Sequence, residues 1–160
     1  MNISLENQVA VVTGGSRGIG SATVKLFSQA GAKVVFSYVR AARKCRELIS
    51  ACEAADKIIA VRADATKMAD AKHLVETAIR RFGKLDILVA NPGIWNYSPL
   101  PVEKMTEREW DEMMAINLKG VYSVIHHAVP HMIRQQSGRI IGPARRGIPY
   151  PLRSEQRRCN

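Results

Sequence analysis

A chain of 160 residues, 46% hydrophobic and 24% charged, has room for one globular domain. No apolar run approaches the ~20 residues of a membrane span, and Met1-Asn2-Ile3-Ser4-Leu5-Glu6-Asn7 lacks the basic start and apolar stretch of a signal peptide, so a cytoplasmic location without a membrane partner is expected. The net charge of +10 is partly local, since residues 143–160 hold five arginines against one acid; the remainder suits an anionic cofactor and calls for no nucleic acid.

In chain order, the β-branched run Val9–Thr13 leads into Gly14-Gly15-Ser16-Arg17-Gly18-Ile19-Gly20. Helical spacing follows over Gly18–Ala30, carried by Ala22, Leu26 and Ala30. Further apolar runs at Lys33–Phe36, Lys57–Val61, Leu85–Ala90 and Arg139–Ile141 alternate with helical stretches at Arg40–Glu53, Met68–Phe82 and Glu107–Gln135. Near-continuous apolar strands between helices predict a parallel sheet covered on both faces, an α/β domain. Gly31 and Gly83 follow two of the helices, where a left-handed capping residue is expected.

The last helix carries an apolar stripe of Trp110, Met113, Met114, Val121, Val124, Ile125, Ala128 and Met132, which fits core packing, a subunit interface, or both. Pro130 removes a backbone donor inside it, so a bend is expected there. Cys45, Cys52 and Cys159 form no CxxC pair and read as free thiols. His127 and His131 stand four apart but lack a carboxylate or cysteine companion in sequence, so no metal is expected. After Ile141 the periodicity stops, and residues 143–160 read as a basic, disordered tail. Tyr150 is that tail's only aromatic, too little for a stacking platform on RNA.

The turn after Val9–Thr13 is the most informative segment. Glycines let the chain bend sharply and bring its backbone close to a pyrophosphate, while the helix that follows offers unpaired N–H groups. The spacing Thr13-Gly14-x-x-x-Gly18-x-Gly20 resembles the cofactor turn of the short-chain dehydrogenase/reductase family, and the likeness extends to 3-oxoacyl-thioester reductases within it. Asp64 and Ala65 after the third strand, Asn91 and Gly93 in Ala90-Asn91-Pro92-Gly93 after the fourth, and Asn117 in Met114-Ala115-Ile116-Asn117-Leu118 match further family motifs in order.

The resemblance runs from about Asn7 to Ile141. It implies a Rossmann-type doubly wound sheet of about five strands in residues 1–142, ending after the fifth. It also implies a nicotinamide cofactor held by Thr13, Gly14, Ser16, Arg17, Gly18, Ile19, Gly20, Tyr38, Arg40, Asp64, Ala65, Asn91 and Gly93. For Asn117 it implies a catalytic role, holding a proton-relay water and the active-site lysine. Read without the resemblance, Asp64 also serves as a strand terminator, Asn91 as a turn former and Asn117 as a helix residue bonding nearby backbone.

The second strand continues as Ser37-Tyr38-Val39-Arg40, with no acid to accept a ribose 2′-hydroxyl. Arg17 and Arg40 are placed to pair with a 2′-phosphate, so NADP(H) is expected over NAD(H); the alternative is that both are solvated surface charges.

Family enzymes pair a tyrosine with a lysine four residues on, and a serine orients the substrate oxygen. Tyr38, Tyr97, Tyr122 and Tyr150 are followed at that spacing by Ala42, Pro101, His126 and Ser154. A cofactor-binding chain without turnover is therefore expected, with a carbonyl or alcohol substrate only in an intact relative. The change of character after Ile141 is expected of a shifted or shortened reading frame, which sequencing codons 138–160 would test. A non-catalytic nucleotide- or partner-binding module, or a product without function, are the alternatives. Self-association through helix 107–135 is a further expectation.

Overall fold

The structure is a computed structural model that describes residues 3–94 and 101–142. The tail 143–160 and Trp95-Asn96-Tyr97 lie outside the described residues. Five parallel strands, β1 (Val9–Val12), β2 (Lys33–Tyr38), β3 (Ile58–Arg62), β4 (Ile87–Val89) and β5 (Arg139–Ile141), form one sheet in the order β3-β2-β1-β4-β5. The helices are α1 (Gly18–Gln29), α2 (Ala42–Ser50), α3 (Met68–Phe82), α4 (Glu107–Met114) and α5 (Gly120–Gln135). The expected doubly wound sheet of five strands is what forms.

The sequence builds this sheet because successive side chains in a strand point to opposite faces. Val9 and Val11 face one core, with Leu74, Val75 and Ala78 of α3 and Val124, Ala128 and Met132 of α5. Ala10 and Val12 face the other, with Val24 of α1 and Cys45 and Leu48 of α2. All four β1 residues are fully buried, which is why that strand reads as unbroken apolar sequence. Cys45 and Cys52 are free thiols in this second core, as expected. Gly31 and Gly83 both take positive φ, and Gly83 ends α3 with its N–H donating to the Ile79 carbonyl.

The stretch read as one helix over 107–135 is α4 and α5 joined by a π-helical turn at Ala115–Lys119. There the Gly120 N–H donates to the Ala115 carbonyl, five residues back. An extra residue in one turn rotates everything beyond it by roughly 100°. The single apolar stripe is thus split. Val124, Ala128 and Met132 are buried against the sheet, whereas Trp110 and Met114 stand exposed. The helix continues through Pro130.

Two side-chain amides of this long helix grip the ends of the β4 segment. Gln135 accepts from the Leu85 N–H at 3.1 Å and donates to the Leu85 carbonyl at 3.0 Å. Asn117 does the same to Ile94 at the other end. β5 lies at the outer edge, and Ile140 and Ile141 are 42% and 49% exposed. Among the described residues no helix is long and apolar enough to cross a membrane.

Candidate functional site

Because all the strands are parallel, their C-terminal ends share one edge of the sheet. The chain leaves β1 and β2 toward one face and β3 and β4 toward the other, so β1 and β4 flank the point where strand order reverses. Ligands of such sheets bind in the crevice at that point. The residues expected to bind a cofactor gather along this edge: Thr13 to Gly20 after β1, Tyr38 and Arg40 at the end of β2, Asp64 and Ala65 after β3, Asn91 and Gly93 after β4.

The turn after β1 is held from both sides. Gly14 N–H donates to Ser37 Oγ at 3.1 Å, and Gly15 N–H donates to the Ser37 carbonyl at 2.9 Å. Ser37 is 3% exposed. Thr13 is fully buried; its hydroxyl donates to the Val89 carbonyl and accepts from the Asn91 N–H at 2.7 Å. Thr13 therefore fixes the β1–β4 junction from within. Ser37 escaped the sequence reasoning because a serine in a strand carries no sign that a turn 23 residues away will bond to it.

The glycines are required by their surroundings. Gly14 has φ +66°, a backbone that side chains rarely adopt. A Cβ on Gly20 would lie 2.3 Å from the Gly14 carbonyl oxygen and 3.1 Å from Gly15 Cα, contacts with backbone that cannot swing aside. Helix α1 thus sits directly on the turn. Its N-cap, Arg17, makes no side-chain capping bond, and its first turn holds no acid. The first N–H groups of a helix have no intrahelical partner, so this end offers donors and partial positive charge to an anion. Ile19, beside them, is 76% exposed, an apolar surface a ligand could cover. The residues present fit the paired phosphates of a dinucleotide.

Asp64 accepts from Thr66 N–H at 3.0 Å and from Thr66 Oγ1 at 2.8 Å, which shapes the turn after β3. Ala65 and Pro92 both pack where a Cβ on Gly120 would come, at 3.5 and 3.3 Å. Pro92 is thereby accommodated by a glycine. Asn117 lies in the π-helical turn, and both ends of its amide are spent on Ile94: Oδ1 accepts from the N–H at 2.9 Å and Nδ2 donates to the carbonyl at 3.0 Å. Its side chain thus ties the π-helical turn to the segment after β4.

Known proteins resemble this chain in sequence and fold. The family described as short chain dehydrogenase matches residues 8–142. An uncharacterized oxidoreductase of Listeria monocytogenes is 41% identical over 140 residues, covering 87% of this chain and 55% of the relative. The 3-oxoacyl-acyl-carrier-protein reductase FabG of Staphylococcus epidermidis is 35% identical over 136 residues, 84% of this chain and 55% of that protein. Among solved structures, a dehydrogenase/reductase from Sinorhizobium meliloti superposes with a TM-score of 0.78 at 36% identity, covering 88% of this chain and 55% of the other. The chain thus spans about half the length of the relatives it matches. A glycine turn seated on α1 at the reversal point of the sheet, matched across that span, makes this chain a member of the short-chain dehydrogenase/reductase family of oxidoreductases.

Proposed function

We propose that this chain is the NADP(H)-binding half of a reductase or alcohol dehydrogenase, with a carbonyl or 3-oxoacyl thioester as the substrate class of the whole enzyme. The observation that carries the cofactor assignment is the uncapped start of α1 on its glycine turn, flanked by exposed Arg17 and Arg40. No acid stands at the end of β2 to repel a 2′-phosphate. The likeness to a 3-oxoacyl-acyl-carrier-protein reductase supports the substrate class.

When bound, the nicotinamide would supply or accept hydride. The chain's own part is to bind and orient it. The α1 N–H groups would hold the pyrophosphate, Asp64 and Ala65 would flank the adenine, and Asn91 and Gly93 would line the path toward the nicotinamide. Proton transfer to a carbonyl oxygen needs an acid whose pKa lies near the working pH. A tyrosine beside a lysine meets that need, and these 160 residues contain no Tyr-x-x-x-Lys.

The chain is therefore expected to bind NADPH without consuming it. Calorimetry with NADPH, paired with absorbance of NADPH in the presence of a 3-oxoacyl thioester, tests this. Binding with a flat absorbance trace is the expected result. Steady oxidation would overturn the inactive assignment, and no binding of either nicotinamide cofactor would overturn the whole.

Self-association belongs to the same proposal. Trp110, Met114, Leu118 and Tyr122 recur every four residues along the long helix and are 50%, 36%, 60% and 56% exposed. Such a row of large apolar side chains fits an isologous contact with a second copy. Leu118→Glu with Tyr122→Glu is expected to convert a dimer to a monomer in sedimentation velocity. A monomeric unsubstituted chain would reject the contact.

A further inference from the structure

A second cationic feature lies outside the cofactor edge. Between α3 and α5 lies a solvent-facing cleft of about 200 Å³. Lys72 and Glu76 face it from α3, and His126, His127, His131 and Arg134 face it from α5. Two permanent cations thus stand against one carboxylate, joined by three imidazoles that can add charge. The carboxylate is only loosely engaged, since Lys72 Nζ and Glu76 Oε1 are 3.7 Å apart and both side chains are solvated. Arg134 Nη2 donates to His131 Nδ1 at 2.9 Å, which leaves the other ring nitrogen of a neutral His131 as a donor. His127 Nε2 is buried and has no hydrogen-bond partner among the described residues. A buried ring nitrogen without a partner carries a desolvation cost that a ligand would relieve.

We propose that this cleft binds a small inorganic oxyanion, held by Lys72 and Arg134 and by the imidazoles of His127 and His131. A metal ion is the wrong occupant, because the same two cations would repel it and, among the described residues, no three His, Cys, Asp or Glu side chains converge closely enough to hold one. None of these side chains belongs to the glycine turn or to the segments holding Asn91 and Asn117, so the site stands or falls independently of the cofactor assignment.

The electrostatics of the cleft support the idea. Burial holds His127 below the ordinary imidazole range, helped by His126 and Lys72 and opposed by the Met68 carbonyl and Glu76. Burial and then Arg134 do the same to His131, again opposed by Glu76. Both rings therefore stay neutral until the pH falls below the usual ~6.5. An anion in the cleft reverses the balance, since it favours the charged imidazole, in which His131 Nδ1 becomes a donor and Arg134 turns from it to the anion. Binding must take up protons, and the affinity must rise as the pH falls.

Sulfate is the suitable probe because it keeps its charge from pH 5 to 8, whereas phosphate titrates in that range. Histidine ring resonances of the full chain, followed through a pH titration in sodium sulfate and in sodium chloride of equal ionic strength, read the coupling directly. The midpoints of His127 and His131 are expected to rise in sulfate by about one unit, equivalent to roughly tenfold tighter binding to the protonated form. His73, exposed on α3 and not lining the cleft, is expected to keep its midpoint. Arg134→Gln, an exposed substitution, is expected to abolish the rise. Equal midpoints in the two salts, a matching shift of His73, or a rise that survives Arg134→Gln would each overturn the site.

Discussion

Replacing Gly20 with valine is expected to abolish NADP(H) binding while leaving a folded domain. The first added carbon alone would lie 2.3 Å from the Gly14 carbonyl oxygen and 2.9 Å from its carbon. Neither atom can give way, because Gly14 is held at φ +66° and bonded through its N–H to Ser37. The start of α1 must lift off the turn instead. Overpacking of this kind costs about 1–3 kcal/mol, which weakens the domain without necessarily unfolding it. The binding loss is larger. Moving the helix end takes its N–H groups off the pyrophosphate, and a hydrogen bond to a charged group contributes about 1.5–3 kcal/mol. Losing two such bonds lowers the affinity roughly one-hundred- to ten-thousand-fold. Calorimetry with NADPH measures this, with circular dichroism reporting that the fold persists. Gly83→Asn is the control. That glycine also has positive φ, at +82°, but no atom lies within 4 Å of an added Cβ, and asparagine tolerates the conformation. Its binding should match the unsubstituted chain. A Gly20→Val variant that binds NADPH within threefold of normal would mean that the phosphates lie elsewhere.

The contrast between Gly20 and Ser37 shows what sequence could and could not disclose. Gly20 was legible because its role is local: a strand, a glycine cluster and a helix follow one another within a dozen residues. Helix α3 was legible from end to end for the same reason, with Leu74, Ala78 and Phe82 marking its face and Gly83 its stop. The apolar run of β2 stops at Phe36, and the strand goes on through Ser37 to Tyr38. Ser37 is buried there because its partner is the glycine turn, a distant segment that no window of sequence includes. The π-helical turn was hidden differently. Hydrophobic spacing over 107–135 fits a single helix, and the extra residue at Ala115–Lys119 shows only when Trp110 faces solvent and Val124 faces the sheet. Asn117 was located by its motif, but its two hydrogen bonds to Ile94 join two elements that only the folded chain brings together.

Replacing both Arg17 and Arg40 with alanine is expected to lower NADPH affinity while leaving NADH affinity nearly unchanged, so the preference between them collapses. The two cofactors differ only by a 2′-phosphate, which leaves the pyrophosphate contacts at α1 common to both. Arg17 sits at the α1 N-cap and Arg40 just past β2, beyond the ends of two adjacent strands. Neither enters an ion pair among the described residues, so removing them frees no partner to disturb the fold. Both are exposed, and solvent screening holds each contribution to about 1 kcal/mol. Together they are worth roughly thirtyfold. That screening also gives the effect a signature, since the NADPH affinity of the unsubstituted chain should fall with added salt more steeply than that of the double variant. Competition calorimetry at two ionic strengths reads both quantities. Parallel losses for NADPH and NADH would assign the arginines to the shared pyrophosphate. No loss for either would make them the solvated surface charges that sequence alone could not exclude.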